Sequence, residues 1–181
     1  MKNQDYFTKF SSYLLTEKRV AQNTFDAYRR DLEQLAIFLT KKKLVLKKVS
    51  TADLKSFLKH LRKQGIGARS LARKVSCLKT FFAYLCEQFD FKDNAQELII
   101  PRIDKKLPRY LKEKDIESLF KTAEQDTTDT GIRNCTMLYL LYVTGMRVSE
   151  LVHVTVSSVD FSSGFLMVPG KGGKERMVPL P

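Results

Sequence analysis

Two stretches near the C-terminal end of the sequence combine cations, glycines and an acid in a way that suits a phosphate. One is VPGKGGKERMVP, with Lys171, Lys174 and Arg176, and the other is TGMRVSEL, with Arg147 and Glu150. A nucleotide-binding P-loop needs Gly-x-x-x-x-Gly-Lys followed by Ser or Thr, leading from a strand into a helix. No Gly-Lys pair in the first stretch is followed by Ser or Thr, and the residues after it are predicted to form a strand. The pattern therefore does not favour a P-loop.

The second stretch suggests what the cations could do together. Arg147 follows Gly145 at the predicted start of a short helix, where backbone amides and the helix dipole favour an anion. A guanidinium can clamp two phosphate oxygens, and a nearby lysine such as Lys171 can donate a proton. This combination favours phosphoryl transfer. The alternative is that Arg147 is a structural residue paired with Glu150, one turn later, and that the lysines form a basic surface turn.

Four amphipathic helices are predicted up to about residue 90. Their apolar residues recur at spacings of three and four, which gives each helix one apolar stripe. The first three stripes contain Tyr6, Phe7, Phe10, Tyr13 and Leu14; Phe25, Tyr28, Leu32, Leu35 and Leu39; and Leu54, Phe57, Leu58 and Leu61. Asn23 is a candidate cap for the second helix, and Ser50 with Asp53 forms a capping box for the third.

The fourth helix, RSLARKVSCLKTFFAYLCE, has one face for a core and another for a ligand. At about 100° per residue, one sector of the helix holds Leu71, Val75, Leu78, Phe82 and Leu85, whereas the opposite side holds Arg69, Arg73, Ser76 and Thr80. Guanidinium groups flanked by small hydroxyls suit phosphate oxygens and guanine edges. The stretch between Arg69 and Phe82 has no acid, whereas a solvated helix face usually carries both signs of charge.

The remainder of the chain indicates a linker over 91–110 and a second domain over 111–181. The segment EKDIESLFKTAEQ predicts a helix with Ile116, Leu119 and Phe120 directed inward. GIRNCTMLYLLYVTG predicts an apolar helix buried in the second core and ended by Gly145. The apolar runs FLMV and RMVPL on either side of PGKGGKE predict a β-hairpin.

Composition limits the class of protein. The 181 residues carry a net charge of +12, typical of proteins that neutralise a phosphate backbone. Residues 1–104 hold 21 lysines and arginines against 11 acids, so most of the excess lies in the N-terminal half. Three cysteines without metal spacing argue against a disulfide framework or zinc site. No apolar run is long enough for a membrane span and no signal peptide is present, so we expect a cytoplasmic protein without membrane contact.

The order of these motifs resembles a known family. TGMRVSEL followed by GKGGKERMVPLP, and preceded by SLARKVSCLKTFFAYL and NTFDAYRRDLEQLAIFL, resembles the tyrosine recombinases (phage integrases), and among them the Xer type. The resemblance implies a mainly α fold. A core-binding, SAM-like domain of four to five helices occupies residues 1–90, and residues 111–181 form the first, α-helical and β-hairpin part of the catalytic domain. It also implies cleavage through a 3′-phosphotyrosyl link without metal or nucleotide cofactor.

The resemblance also implies roles for particular residues. Arg147 resembles the first catalytic arginine, Lys171 the hairpin lysine that protonates the leaving oxygen, and Glu150 a support for the catalytic residues. Double-stranded DNA is the expected partner of the set Thr24, Tyr28, Arg69, Ser70, Arg73, Lys74, Ser76, Thr80, Lys174 and Arg176. For Lys174 and Arg176 a role in hairpin structure stays open as the alternative.

Some family features have no counterpart in this sequence. Neither His60 nor His153 starts a His-x-x-Arg motif, and none of the seven tyrosines follows Lys171, where the family places its nucleophile. We therefore expect the chain to bind DNA without cleaving it. It is either part of a full recombinase, which would act as a tetramer on two DNA sites, with or without a paralogous partner, or a naturally truncated, non-catalytic DNA-binding module. The DNA sequence recognised and the biological role stay open.

Overall fold

The computed structural model describes residues 3–103, 107, 109–170 and 175–180. The chain divides into two compact units, Met1–Lys106 and Leu107–Pro181. The first unit extends beyond the predicted end of its domain at residue 90, because Ala95 and Leu98 are buried in its core. The Asp93 carboxylate accepts hydrogen bonds from the amides of Ala95 and Gln96, and the Asn94 amide group donates to the Val49 carbonyl. The start of the predicted linker is thus fixed to the helical unit.

The first unit contains four α-helices among its described residues: α1 (Asn3–Thr16), α2 (Gln22–Lys41), α3 (Thr51–Lys63) and α4 (Ala68–Phe89). A short 3₁₀ turn, Leu46–Lys48, precedes α3. The helices pack around an aromatic centre in which Phe10 and Phe81 are fully buried with ring centroids 5.0 Å apart. Fully burying a side chain of this size stabilises a fold by about 1.5–3 kcal/mol. The four predicted stripes therefore form one core.

The helix caps agree with the sequence in one case and differ in another. Ser50 and Asp53 form the predicted capping box, in which the Asp53 amide donates to the Ser50 hydroxyl and the Ser50 amide donates to the Asp53 carboxylate at 2.9 Å. The prediction that Asn23 caps α2 is wrong. The helix starts at Gln22 after Ala21, which makes no side-chain capping bond, so Asn23 already lies within the first turn.

The second unit combines helices α5 (Glu113–Ala123), α6 (Asp129–Thr144) and α7 (Val148–Leu151) with strands β1 (Val159–Asp160), β2 (Phe165–Pro169) and β3 (Glu175–Pro179). The strands form an antiparallel sheet in the order β1-β2-β3, with Leu166 opposite Val178 and Val168 opposite Arg176. The predicted hairpin is confirmed, and β1 is an addition. Leu166 and Val168 point into a small core with Met146 and Leu151.

Helix α6 is not buried as its composition suggested. Tyr142 is 62% exposed and Ile132 58% exposed, and in α5 the predicted inward residue Leu119 is 42% exposed. The α6 helix packs on α5 through Phe120 and Tyr139, whose rings stack with centroids 4.3 Å apart. Other residues of α6, including Leu141, pack against the small core beside the sheet. An almost wholly apolar helix has more apolar faces than these described elements cover.

No helix in the described part of the chain is both long and apolar enough to cross a membrane.

Replacing Ser50 by Ala should destabilise the helical unit by about 1 kcal/mol, because the Asp53 amide loses its acceptor at the start of α3. Urea unfolding of the full chain, followed by far-UV circular dichroism, measures this loss. Ser56→Ala, in the exposed middle of the same helix, is the matched control and should have little effect. Equal midpoints for the Ser50 variant and the unchanged protein would contradict a stabilising cap.

Candidate functional site

A tight turn between α6 and α7 sets the direction of Arg147. Gly145 ends α6 in the left-handed region at φ 58°, a conformation that glycine adopts without steric cost, and its amide donates to the Leu141 carbonyl. The next residue, Met146, is buried in the core of the second unit. Arg147 then occupies the N-cap position of α7 with a side chain 72% exposed. The sequence Thr-Gly-Met-Arg thus anchors one side chain and presents the next to solvent.

The Glu150 carboxylate restrains Arg147 through hydrogen bonds. Its carboxylate is nearly buried and accepts from both the backbone amide and Nη1 of Arg147, each at 2.8 Å. Two further bonds come from Arg176 on β3, whose Nη1 and Nη2 lie 3.0 and 2.8 Å from the two carboxylate oxygens. The hydrogen bonds from Arg176, followed by that of the Arg147 amide, lower the pKa of Glu150 to about 2.

The arrangement leaves part of Arg147 free. Within the described residues, its Nη2 and Nε atoms have no hydrogen-bond partner, whereas Nη1 is held by Glu150. A guanidinium fixed on one side and open on the other can bind phosphate oxygens with little loss of side-chain freedom. The pairing with Glu150, which the sequence offered as a structural alternative, is therefore compatible with a role in phosphate binding.

Of the three cations predicted for the hairpin, the structure describes only Arg176. Arg176 forms the bidentate pair with Glu150, which supports the hairpin-structure reading for this residue, and it remains 40% exposed. Lys171 and Lys174 lie outside the described residues. The strands on both sides of them are described, and their register is continuous from Phe165 opposite Pro179 to Pro169 opposite Glu175.

The second candidate surface lies where α2 and α4 pack against each other. Arg69 is exposed, and the hydroxyl residues of α4 (Ser70, Ser76 and Thr80) are half-buried, as are Thr24 and Tyr28 of α2. The Ser76 and Thr80 hydroxyls donate to the carbonyls of Ala72 and Ser76, which leaves their oxygen lone pairs available. The predicted polar face of α4 is thus formed jointly with α2. The α2–α4 surface below means these six residues and Arg73.

Arg73 is less free than its position on α4 suggested. Its Nη1 atom donates to the carboxylate of Asp31 and, at 3.0 Å, to the Ala27 carbonyl, both on α2. Its side chain is 38% exposed, and Nη2 and Nε have no partner among the described residues. Helix α4 has no acidic residue close to Arg73 in sequence, and the acidic partner of Arg73 is Asp31 on α2.

Lys74 points inward rather than to the surface. Its side chain is 4% exposed, and its ammonium group donates to Asp31 and to Gln34, each at 2.6 Å. A direct DNA contact for Lys74 does not fit this geometry, because the group is covered by the packing of α4 on α2. Lys74 is therefore not included in the α2–α4 surface.

Sequence reasoning missed Asp31 and Gln34. A signal was present, because Asp31 falls in the apolar stripe of α2, three residues after Tyr28 and four before Leu35. A carboxylate in such a stripe is desolvated and needs a cationic partner.

Two family profiles match this chain, and each covers one of the two candidate surfaces. The profile described as "Phage integrase, N-terminal SAM-like domain" matches residues 7–88, which include the α2–α4 surface, and that described as "Phage integrase family" matches residues 109–181, which include Arg147, Glu150 and Arg176. The chain belongs to the phage integrase family, the tyrosine recombinases. The mainly α fold, with a SAM-like domain and the start of an integrase catalytic domain, is thereby confirmed.

The relatives are of the Xer type. Tyrosine recombinase XerD of Pasteurella multocida strain Pm70 is 36% identical over 181 residues, which is 99% of this chain and 61% of that protein. Tyrosine recombinase XerC of Staphylococcus saprophyticus is 37% identical over 168 residues, covering 92% of this chain and 56% of that protein. The chain therefore spans little more than half the length of these relatives.

Solved structures of recombinases share the fold. A lambda integrase dimer bound to a COC′ core site superposes with a TM-score of 0.75 at 18% identity, covering 99% of this chain and 49% of that one. XerH bound to a palindromic difH substrate gives 0.70 at 19% identity, covering 96% of this chain and 52% of that one.

Replacing Glu150 by Gln should destabilise the second unit in a pH-dependent way. A carboxyl whose pKa falls from its ordinary value near 4.5 to about 2 on folding contributes stability above pH 4.5, and this is lost as the pH falls towards 2. The melting temperature of the Glu150→Gln variant should therefore be lower than that of the unchanged chain at pH 7, and the difference should shrink between pH 4.5 and 2. Thermal unfolding of the full chain across this range measures it.

The control is Glu175→Gln, an exposed carboxyl on the neighbouring strand β3. It should leave the melting temperature nearly unchanged at both ends of the range. A difference for Glu150→Gln that is independent of pH would show that its carboxylate is not the stabilising form.

Proposed function

We propose that this chain is the DNA-binding and partial catalytic portion of a site-specific recombinase. Family membership supports the proposal, since the relatives named above are tyrosine recombinases and two of the solved structures of the same fold are complexes with DNA. The observation that carries it is the Arg147–Glu150–Arg176 cluster. It restrains Arg147 and leaves one edge of its guanidinium exposed, an arrangement that suits the oxygens of a phosphate.

In the proposed complex, double-stranded DNA lies on the α2–α4 surface. Arg69 and the open edge of Arg73 supply positive charge, and the Ser70 hydroxyl can donate a hydrogen bond to a phosphate oxygen. The Ser76 and Thr80 hydroxyls already donate to backbone carbonyls, so their lone pairs can accept only from donors on base edges. The Tyr28 phenol is protonated at neutral pH, as an ordinary tyrosine is, and can donate a hydrogen bond. Burial raises its pKa further, and a side-chain hydrogen bond with Thr80 acts in the opposite direction. Thr24 and Tyr28 extend the surface onto α2. The basic excess of residues 1–104 supports long-range attraction of the duplex.

In the proposed reaction, Arg147 stabilises negative charge on the scissile phosphate. A cation fixed before the reaction starts stabilises developing charge without reorganisation, which is the usual source of large rate effects. Lys171 would donate a proton to the leaving oxygen, a role that rests on its resemblance to the hairpin lysine of the family. Arg176 would fix Glu150 and with it the hairpin, and Lys174 would contact the DNA backbone.

The nucleophile is the missing part of this reaction. All seven tyrosines of the 181 residues precede Lys171 in sequence. A phosphate activated by cations does not react without a nucleophile. We therefore propose that this chain binds DNA without cleaving it, and that a full recombinase supplies the tyrosine and acts as a tetramer on two DNA sites.

Binding should depend steeply on salt and on Arg69. For a duplex of about 30 base pairs, log affinity should fall linearly with log salt, and each lost phosphate contact should reduce the slope by about 0.9. Arg69→Gln should show such a reduction in a fluorescence anisotropy series. Arg62→Gln, an equal change of charge on the exposed side of α3, is the control and should retain the slope. A shallow slope for the unchanged chain would refute the DNA-binding proposal.

The absence of cleavage can be tested directly. Duplexes enriched by binding from a random-sequence library, each with a nick beside the bound site, would be incubated with the chain and separated under denaturing conditions. We expect no covalent protein–DNA adduct. An adduct would contradict the proposal, and its loss in one of seven single Tyr→Phe variants would then identify the nucleophile.

A further inference from the structure

One carboxylate lies beneath the α2–α4 surface and contacts two cations of different exposure. Asp31 is 4% exposed; one of its oxygens accepts from Arg73, and the other accepts from Lys74 at 2.6 Å. Both cations come from α4, whereas the acid comes from α2. The inner cation, Lys74, is covered, and the outer one, Arg73, reaches solvent.

The charges of this cluster do not cancel. One carboxylate faces two cations, so the cluster keeps a net charge of +1, and the only exposed charged group in it is the Arg73 guanidinium. If Asp31 were paired with Arg73 alone, the pair would be neutral and would attract a phosphate weakly. The positive charge of the buried Lys74 balances the negative charge of Asp31. Asp31 can therefore hold Arg73 while the positive potential around the Arg73 guanidinium is kept.

The hydrogen bonds also fix the orientation of Arg73. Both bonds to α2, to the Asp31 carboxylate and the Ala27 carbonyl, use Nη1. This restrains a long side chain and leaves Nη2 and Nε without a partner among the described residues. An arginine restrained before binding loses less conformational freedom when it contacts a phosphate.

We propose that Asp31 is a positioning residue for DNA binding: it orients Arg73 towards a phosphate, and the buried Lys74 balances its charge. The proposal rests on the proposed DNA-binding function and adds a residue pair that itself touches no DNA. Through this pair, affinity depends on the packing of α2 against α4.

The decisive variant is Asp31→Asn combined with Lys74→Met. It removes one negative and one positive buried charge, so the net charge equals that of the unchanged chain and no buried cation is left without a partner. The ion pair that fixes Arg73 is lost together with the Lys74–Gln34 hydrogen bond, and only the Ala27 carbonyl is left to hold the guanidinium. Affinity for a duplex of about 30 base pairs should fall about three- to tenfold while the salt slope stays the same, because Arg73 still contacts its phosphate.

The matched measurement repeats the double substitution in an Arg73→Gln background. Arg73→Gln alone should reduce the salt slope by about 0.9. In that background the double substitution should cause no further loss of affinity, because there is no guanidinium left to orient. An equal loss in both backgrounds would show that Asp31 acts only through the fold and would overturn the proposal, as would no loss in the unchanged background.

Lys74→Met alone tests the balancing of charge and does not depend on the double variant folding. It leaves Asp31 paired with Arg73 one to one, so the field at the surface weakens and the salt slope should fall towards that of Arg73→Gln. An unchanged slope would overturn the role given to Lys74. If the unchanged chain itself binds with a shallow salt slope, the DNA-binding function fails. If it binds steeply but Arg73→Gln does not alter the slope, only the positioning role fails.

Discussion

In each unit, one nearly buried carboxylate accepts hydrogen bonds from two cations, and the position of the exposed cation depends on it. Asp31 holds Arg73 and Lys74, and Glu150 holds Arg147 and Arg176. Desolvation makes a buried carboxylate costly unless its lone pairs are filled by charged donors. Asp31 and Lys74 are both buried, and removing one partner of such a pair typically costs about 3–5 kcal/mol. Each arginine is therefore held by a carboxylate that needs its charged donors.

The two clusters share a charge arrangement that suits an anion. Two cations against one acid leave a net positive charge, and in each cluster at least one arginine with N–H groups unpaired among the described residues faces solvent. A lone arginine on a surface would be more mobile, whereas an arginine paired one to one would be neutralised. A second cation in the cluster satisfies both requirements. Its charge balances the charge of the acid, and the acid restrains the exposed arginine.

Much of the fold follows from local patterns, and the interior of the candidate sites does not. The stripes of α1 to α4, the Ser50 capping box, the Gly145 stop and the β-hairpin each depend on residues within a few positions of one another. The Asp31–Arg73 pair joins residues 42 positions apart, and Arg176 reaches Glu150 across 26. No periodicity links such residues, so the position of Asp31 in the apolar stripe of α2 is a signal for a buried acid, but nothing in the sequence indicates the partners of that acid. Helix α6 was misjudged for a related reason: its composition shows an apolar surface but not how many elements cover it.

The long separation of Asp31 from its partners has a consequence for function. Arg69 lies on a single helix and is available whenever α4 is formed, whereas Arg73 is oriented only when α2 packs on α4. In the proposed complex with DNA, a partly folded first unit would therefore keep the general attraction of its basic charge for the duplex and lose the oriented contact. Glu150 differs, because its pair with Arg147 is local to the start of α7 and only the Arg176 bonds require the hairpin. Thus the orientation of Arg147 begins within one turn of chain and is completed by the sheet, whereas the orientation of Arg73 depends on the tertiary packing of the helical unit.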